Sequence, residues 1–395
     1  MVRLTRAQQQ ERTRAAVLAA ARAEFAEHGY AGAKVDRVAE RAELTRGAVY
    51  SNFPGKRALY LAVLIGQLDG SDTGAEADGG GGEGGGGDGP PAVSPAGVAE
   101  ALGAFARARL GRLPLSDGRP DAGHALRGSM AGVLDDERSR EVWARLTRME
   151  ALLLGLTLES RAPSPSGGPK ERQVRRAELA LRLLNGAAGA DGPAGDHGDH
   201  GDPFDTALAC AHLAGLGLHD SWRPPHLPHI TPARPVREVW RPPAGAADLL
   251  TGRPVDLARD GVVAVLGTER LGAAEEAVRV AGPGESVTLA VVTDDPEGIG
   301  RLVRLRIGEL AHGLRRVFAP GDLPGVRIVL DEGAGLSSAA GVPEADDGTE
   351  AAVRVRGAEV VARARGRGAA LALAAVGGAE GTDGGPGAGF REGAR

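Results

Sequence analysis

The sequence predicts a multidomain chain that is all-helical up to residue 220 and mixed α/β from residue 250 onward. Its 395 residues exceed what one domain usually needs, so two or three domains are expected. Apolar residues recur at helical spacing in the first part, whereas the last third alternates short apolar strand patterns with a helical one. A proline-rich connector at 221–249, with the stretch SWRPPHLPHITPARPVREVWRPP, separates the two patterns.

Helices are predicted throughout the N-terminal segment 11–71. The first covers ERTRAAVLAAARAEFAEHGY and ends near Gly29, which suits the left-handed conformation that often closes a helix. The second lies in KVDRVAERAEL, a short third one follows a tight turn, and a longer fourth one begins at Lys56. The apolar positions of the first, second and fourth helices are Val17, Leu18, Ala21, Phe25, Val35, Val38, Ala39, Ala42, Leu59, Tyr60, Val63, Leu64 and Leu68.

The short third helix, in LTRGAVYSNF, has well-marked ends and two different faces. Thr45 is a good N-cap, and Leu44 and Val49 stand at the two positions of a hydrophobic staple. Pro54 stops the helix because proline cannot continue its hydrogen-bond ladder. Val49 and Phe53 form an apolar stripe for packing, and another face is left to reach outward. The residues of that outward face are Arg46, Gly47, Tyr50 and Ser51.

The run AAARAEFAEHGYAGAKVDRVAERAELTRGAVYSNFPGKRALYLAVL resembles the DNA-binding domain of the TetR/AcrR family of bacterial repressors. The resemblance implies that the third helix enters the major groove and that Lys56 holds a phosphate. Two positions depart from the family pattern: Lys34 cannot cap the second helix, and Glu43 stands where glycine is common in the turn. The DNA-binding residues expected from the resemblance and from their chemistry are Arg37, Thr45, Arg46, Gly47, Tyr50, Ser51, Asn52 and Lys56.

Charge and composition agree with a DNA-binding N-terminus. Residues 1–65 hold 11 Lys/Arg and 6 Asp/Glu, a net charge of +5, within a chain whose net charge is −5. A basic segment on an acidic body suits one-sided contact with nucleic acid. The N-terminus lacks an apolar signal-peptide region and no long apolar run follows, so a cytoplasmic protein with no membrane contact is expected. Cys210, the only cysteine, is predicted to be an inert core residue.

A helical domain is predicted at 96–220, after a Gly/Asp-rich disordered linker at 72–95. Its helices are centred on Leu102 to Leu113, Leu126 to Leu134, Val142 to Leu154, Gln173 to Leu184 and Phe204 to Leu218. In the TetR family this region binds a small effector and its last two helices form the dimer interface. His197 and His200 lie in a glycine-rich segment that is interpreted as a solvated loop, so no metal site is expected. The candidate effector-pocket residues are His124, Met130, Trp143 and Met149.

The segment 250–376 predicts strands in GVVAVLG, SVTLAVVTDD and VRIVLD, and a hairpin from AAVRVRG and EVVARARG that turns near Gly357. A helical run at 299–318 and a closing helix at 369–376 complete it, and a flexible tail at 377–395 follows. This order and wording resemble a thioredoxin- or peroxiredoxin-like domain. The resemblance implies active-site cysteines around Arg270 and Ala273, and neither position is cysteine. A domain without redox chemistry is therefore expected.

These observations predict a cytoplasmic, sequence-specific transcriptional regulator without enzymatic activity or cofactor. The TetR resemblance implies an effector-released repressor that binds a palindromic double-stranded DNA operator as a homodimer and responds to an unknown small molecule. Two alternatives remain open: a thiol oxidoreductase fused to a DNA-binding segment, and a protein-interaction module that such a segment tethers to DNA.

Overall fold

The computed structural model describes residues 5–77, 95–111, 133–162, 171–187, 202–218, 220, 222–223, 230–281 and 285–377. Four N-terminal helices, here called the head, follow in the predicted order: α1 (Arg6–Gly32), α2 (Val35–Arg41), α3 (Arg46–Asn52) and α4 (Lys56–Ala77). Thr5 and Gln8 form a reciprocal capping box that fixes the start of α1. Gly29 kinks α1 near its end with a φ of +63°. The apolar positions predicted for the head are all buried or packed against its core.

Four further helices form the helical region: α5 (Val98–Leu110), α6 (Glu137–Leu158), α7 (Val174–Ala187) and α8 (Pro203–His212). Asp136 caps α6 by accepting a hydrogen bond from the Ser139 amide, and Asp202 caps α8 in the same way, with Pro203 at the first helical position. These helices confirm the predicted segments except the one with Leu126 and Met130, most of which lies outside the described residues.

The C-terminal part, here called the sheet domain, contains one mixed sheet. Its strands are β1 (Arg234–Val239), β2 (Gly261–Gly267), β3 (Ser286–Val292), β4 (Val326–Leu330), β5 (Glu350–Arg356) and β6 (Glu359–Arg365). They lie in the order β1-β6-β5-β2-β3-β4, with β2, β3 and β4 parallel and the other neighbours antiparallel. The helices of this domain are α9 (Ala274–Val280), α10 (Arg301–Val317), α11 (Gly335–Ala339) and α12 (Ala369–Gly377).

One hydrophobic core runs through the head, the helical region and one face of the sheet. Successive residues of β2 point to opposite faces, so Val262 and Ala264 join this core, whereas Val263 and Val265 join a smaller one on the other face, which includes Trp240. Helix α10 lies at the centre of the arrangement because it contacts α4 of the head and both α5 and α6 of the helical region. The sheet domain is therefore packed against both other parts of the chain.

Two predicted boundaries are wrong. Helix α4 continues to Ala77, past the expected start of the disordered linker at 72, because each residue added to an existing helix gains a hydrogen bond at low cost. Strand β1 lies inside the expected connector 221–249, and the sheet thus begins before residue 250. The strand accommodates Pro235 because it is an edge strand with one unpaired side. The rest of the linker, at 78–94, and the tail from 378 lie outside the described residues.

Candidate DNA-binding surface

Helix α3 has the two faces that the sequence predicts. The Thr45 side chain accepts a hydrogen bond from the Ala48 amide and so caps the helix. Val49 and Phe53 are buried in the head, and Phe53 follows the last residue of the helix. The opposite face is exposed, and Tyr50 keeps 39% of its surface accessible although it is a large aromatic residue. The packed face thus fixes the helix while the polar face meets solvent.

Arg46 is held on this exposed face by two neighbours. Its guanidinium lies 3.2 Å from the Asp36 carboxylate and 5.4 Å from the centre of the Tyr50 ring. A hydrogen bond to Tyr50 and the charge of Asp36 raise the pKa of Arg46. Among the described residues, a side-chain atom added at Gly47 would meet only Thr45 Oγ1, at 3.9 Å, so the backbone there is open to close approach. The Arg46 guanidinium is therefore presented next to accessible backbone at Gly47.

Ser51 and Asn52 turn back toward their own helix. The Ser51 hydroxyl and the Asn52 amide both donate to the Ala48 carbonyl, at 2.9 and 2.8 Å. Both residues also line a cleft between α1 and α3, a feature that the sequence pattern did not indicate because its two sides are far apart in the chain. The other residues of the cleft are Ala7, Gln10, Glu11 and Arg14.

Lys56 is engaged inside the head. Its Nζ atom lies 3.1 Å from the Ala31 carbonyl oxygen and 4.8 Å from the centre of the Tyr30 ring. Partial burial lowers the pKa of this ammonium group. An ammonium group has three donors, so Lys56 can keep the Ala31 contact and still donate to a further acceptor.

Arg37 belongs to a cluster around a buried carboxylate that the sequence did not single out. Glu24 is fully buried and accepts a hydrogen bond from the Lys34 amide at the start of α2, where the Lys34 side chain makes no cap. The guanidiniums of Arg37 and Arg41 lie 3.6 and 3.3 Å from Glu24. Glu24, Glu27 and His28 are close enough to share a metal ion, but Arg41 already pairs with both carboxylates. Because lysine cannot cap a helix with its side chain, Lys34 was the one sign in the sequence that another acceptor had to bind the free amides of α2.

Two of the four candidate effector-pocket residues can be placed. Trp143 and Met149 are both buried on α6, whereas His124 and Met130 lie outside the described residues. The Trp143 ring is covered by the Arg306 guanidinium from α10, 3.8 Å from its centre. Arg306 also pairs with the buried Glu150 at 2.5 Å, and Trp143 Nε1 and Glu150 Oε1 have no hydrogen-bond partner among the described residues. The interior of the helical region is therefore polar at this point, which apolar spacing alone did not indicate.

The positions expected for redox cysteines carry other contacts. Arg270 donates to the buried Glu350 carboxylate at 2.5 Å, and Ala273 is buried at the start of α9. Cys210 is buried in α8, and burial raises the pKa of its thiol to about 11. This pKa leaves almost no thiolate near neutral pH, as predicted for an inert core residue. His197 and His200 lie outside the described residues.

Comparisons with known proteins match the head. Residues 17–63 match the family model described as bacterial regulatory proteins, tetR family. A 54-residue segment is 43% identical to the HTH-type transcriptional repressor SCO4008 of Streptomyces coelicolor, and it makes up 14% of this chain and 28% of that repressor. The chain thus spans less than a third of the length of this curated relative. These matches show a TetR-family N-terminal domain.

Solved structures of TetR regulators also align with part of the chain. One from Rhodococcus sp. RHA1 aligns over 53% of this chain and 99% of its own length, with 19% identity and a TM-score of 0.30. A putative TetR-family regulator from Mesorhizobium loti aligns over 54% and 100%, with 16% identity and a TM-score of 0.23. Within the described residues, no helix combines the length and apolar character needed to cross a bilayer.

Proposed function

We propose that this chain, which has a TetR-family N-terminal domain, is a cytoplasmic regulator of transcription that binds a specific DNA operator. The observation that carries the proposal is helix α3, whose capped start and buried Val49 and Phe53 hold a polar face outward. Such a helix, supported by two others, fits the major groove of B-form DNA. The basic N-terminal segment adds attraction to the phosphate backbone.

The exposed face of α3 divides into groups for bases and groups for the backbone. The Arg46 guanidinium leaves the Asp36 carboxylate and binds the edge of a guanine base. Gly47 lets the DNA approach the helix backbone closely. The Tyr50 hydroxyl donates to a phosphate, and Ser51 can do so once its hydroxyl leaves the Ala48 carbonyl. Lys56 adds a phosphate contact to its bond with Ala31. Thr45, Asn52 and Arg37 complete the surface at its rim.

A homodimer is supported by apolar residues left exposed on the last two helices of the helical region. Leu179 and Leu183 on α7, and Phe204 and Leu208 on α8, lie one helical turn apart in each pair. Helices α7 and α8 are in contact, so the two pairs form one surface that a second copy of the chain can cover. Two-fold symmetry then matches a palindromic operator.

Release of the operator by a small-molecule effector fits the polar interior of the helical region. Trp143 and Met149 are in its core, and within the part of the chain that the structure describes the Glu150–Arg306 pair beside Trp143 has unsatisfied atoms that a ligand can engage. The other two candidates, His124 and Met130, lie outside the described residues. A modest difference in affinity between two arrangements of the heads suffices for release.

For the sheet domain we propose a thioredoxin-like fold without redox cysteines. Support comes from its topology: β2 has the parallel strand β3 on one side and the antiparallel hairpin β5–β6 on the other. The alternative of a thiol oxidoreductase lacks the sulfur that thiolate chemistry needs, since Cys210 is buried and Arg270 and Ala273 stand at the expected cysteine positions. Thiol-dependent reductase or peroxidase activity of the purified protein would contradict this proposal.

Selection from a pool of random DNA duplexes tests the proposed function. The purified full-length chain should enrich a palindromic sequence whose half-sites lie about one helical turn, or a multiple of it, apart. Failure to enrich any sequence, even at low salt where phosphate contacts are strongest, would reject sequence-specific binding.

A further inference from the structure

Helix α10 of the sheet domain begins beside the end of helix α3. Arg301, its first residue, is buried and donates from Nη1 to the Ala58 carbonyl oxygen in α4, at 2.8 Å. The same guanidinium lies 5.2 Å from the centre of the Phe53 ring and pairs with Glu297. One side chain of the sheet domain therefore touches both sides of the turn between α3 and α4.

Phe53 is the residue through which this contact can act on DNA recognition. It follows the last residue of α3 and is buried, and the Arg14 guanidinium lies 4.7 Å from the centre of its ring. Arg14 comes from α1, so the head and the sheet domain each place a cation on the same ring. Cation–π contacts of desolvated groups are among the stronger ones of this kind. The position of the ring, and with it the last turn of α3, thus depends on both.

Helix α10 is also fixed along its length. A side-chain atom added at Gly308 would lie 3.4 Å from Leu68 of α4, and one at Gly313 would lie 2.9 Å from the Phe105 ring of α5. Two residues before Gly308, Arg306 makes the buried pair with Glu150 of α6. The backbone of α10 therefore packs closely on the head and the helical region at once.

A second set of ion pairs joins the three parts near the same place. Arg57 in the first turn of α4 bonds to Asp136 at 2.6 Å, and Asp136 caps α6. Arg138 in the first turn of α6 pairs with Asp294 and Asp347 of the sheet domain. The starts of α4, α6 and α10 thus meet at one junction beside the DNA-binding surface.

We propose that Arg301 is a positioning residue for DNA recognition, through which the sheet domain sets the orientation of helix α3. The inference rests on the proposed function, since it requires that α3 reads DNA. By this inference the sheet domain supports helix α3 in addition to the packing inside the head. A change in the Arg306–Glu150 pair then reaches Arg301 through helix α10. Because Arg301 is buried, it acts through Phe53 and Ala58 and does not itself contact DNA.

The test compares three full-length variants with the unmodified chain: Arg301→Met, Arg301→Lys and Arg304→Met. Lysine can keep the bond to Ala58 but cannot lay a planar guanidinium on Phe53. Arg304 is the matched control because it lies one turn along the same helix and pairs with Glu332 inside the sheet domain. Each protein is titrated onto the duplex selected by the unmodified chain and onto unrelated DNA, at several salt concentrations. Hydrogen exchange of the amides at 46–59 is measured without DNA.

Arg301→Met should weaken binding to the selected duplex about tenfold, within the usual range of coupling between sites, and should speed exchange in α3. Arg301→Lys should recover part of both effects, and Arg304→Met should show neither. The salt dependence should be unchanged in all three variants, because no phosphate contact is removed. If Arg301 had a merely structural role, Arg301→Met would lower the affinity for selected and unrelated DNA alike.

Unchanged affinity and unchanged exchange in Arg301→Met would overturn the inference. A reduced salt slope would also overturn it, because Arg301 would then contact DNA directly. If Arg301→Met does not fold, Arg301→Lys decides by the same two measurements. If the unmodified chain shows no specific binding, the proposed function has failed, and unchanged exchange at 46–59 would then reject the structural link as well.

Discussion

Glu43 occupies the tight turn between α2 and α3 in a conformation that glycine adopts more easily. Its φ of +55° lies in the left-handed region, where a side chain costs on the order of 1 kcal/mol. The turn sets the direction of α3, so this strain lies next to the proposed DNA-binding surface.

Glu43→Gly should stabilise the protein by about 1 kcal/mol, because glycine accepts a positive φ without strain. Glu40→Gly is the matched control: Glu40 is exposed in α2, and glycine there should destabilise the helix by about 1 kcal/mol. Urea unfolding followed by circular dichroism measures both changes. Equal effects of the two substitutions would show that the turn is not strained.

Glu276 makes stability depend on pH. Burial, and then the nearby Glu350 carboxylate, raise its pKa from 4.5 to about 7. The folded chain therefore holds this proton more tightly than the unfolded chain, and ionising Glu276 as the pH rises through this range destabilises the fold. The unfolding free energy of the unmodified chain relative to Glu276→Gln should fall by about 2 kcal/mol between about pH 5 and about pH 8. A difference that stays constant with pH would contradict this.

At the scale of elements, the position of α10 depends on how closely its backbone approaches its neighbours. Gly313→Ala would place a carbon 2.9 Å from Phe105 and should destabilise the protein by about 1 to 3 kcal/mol, because the ring must move. Gly186→Ala in the last turn of α7 meets no atom of the described residues within 4 Å and should instead stabilise by roughly 0.5 to 1 kcal/mol. Thermal unfolding compares the two, and stabilisation by both would mean that α10 and α5 are not in close contact.

The helices and strands that could be predicted from the sequence are those whose signals lie within the element itself. The ends of α3 were predictable because Thr45 and Pro54 act locally, and β2 and β3 were predictable because buried parallel strands are continuous apolar runs. Strand β1 was missed because an exposed edge strand among prolines has no apolar pattern. The contact between Arg301 and Ala58 joins residues 243 positions apart, so no local spacing could indicate it.

For the whole molecule, the proposed dimer makes a sharp prediction. A double variant, Leu183→Glu with Phe204→Glu, introduces charges where side chains are 43% and 71% exposed, and it should be monomeric and bind the operator poorly. Val239→Glu is the control, since Val239 is 65% exposed but lies on β1 in the sheet domain. Analytical ultracentrifugation gives the masses. A dimer that survives the double variant, or dissociates with Val239→Glu, would place the interface elsewhere.

A gel shift with salt titration on the DNA upstream of the protein's own gene measures whether helix α3 reads DNA. The unmodified chain should bind specifically and lose affinity steeply as salt rises, because phosphate contacts supply much of the binding energy. Tyr50→Phe, which removes one exposed hydroxyl, should weaken binding about fivefold on all DNA sequences. No specific binding even at low salt, or full affinity in the variant, would mean that α3 does not read DNA.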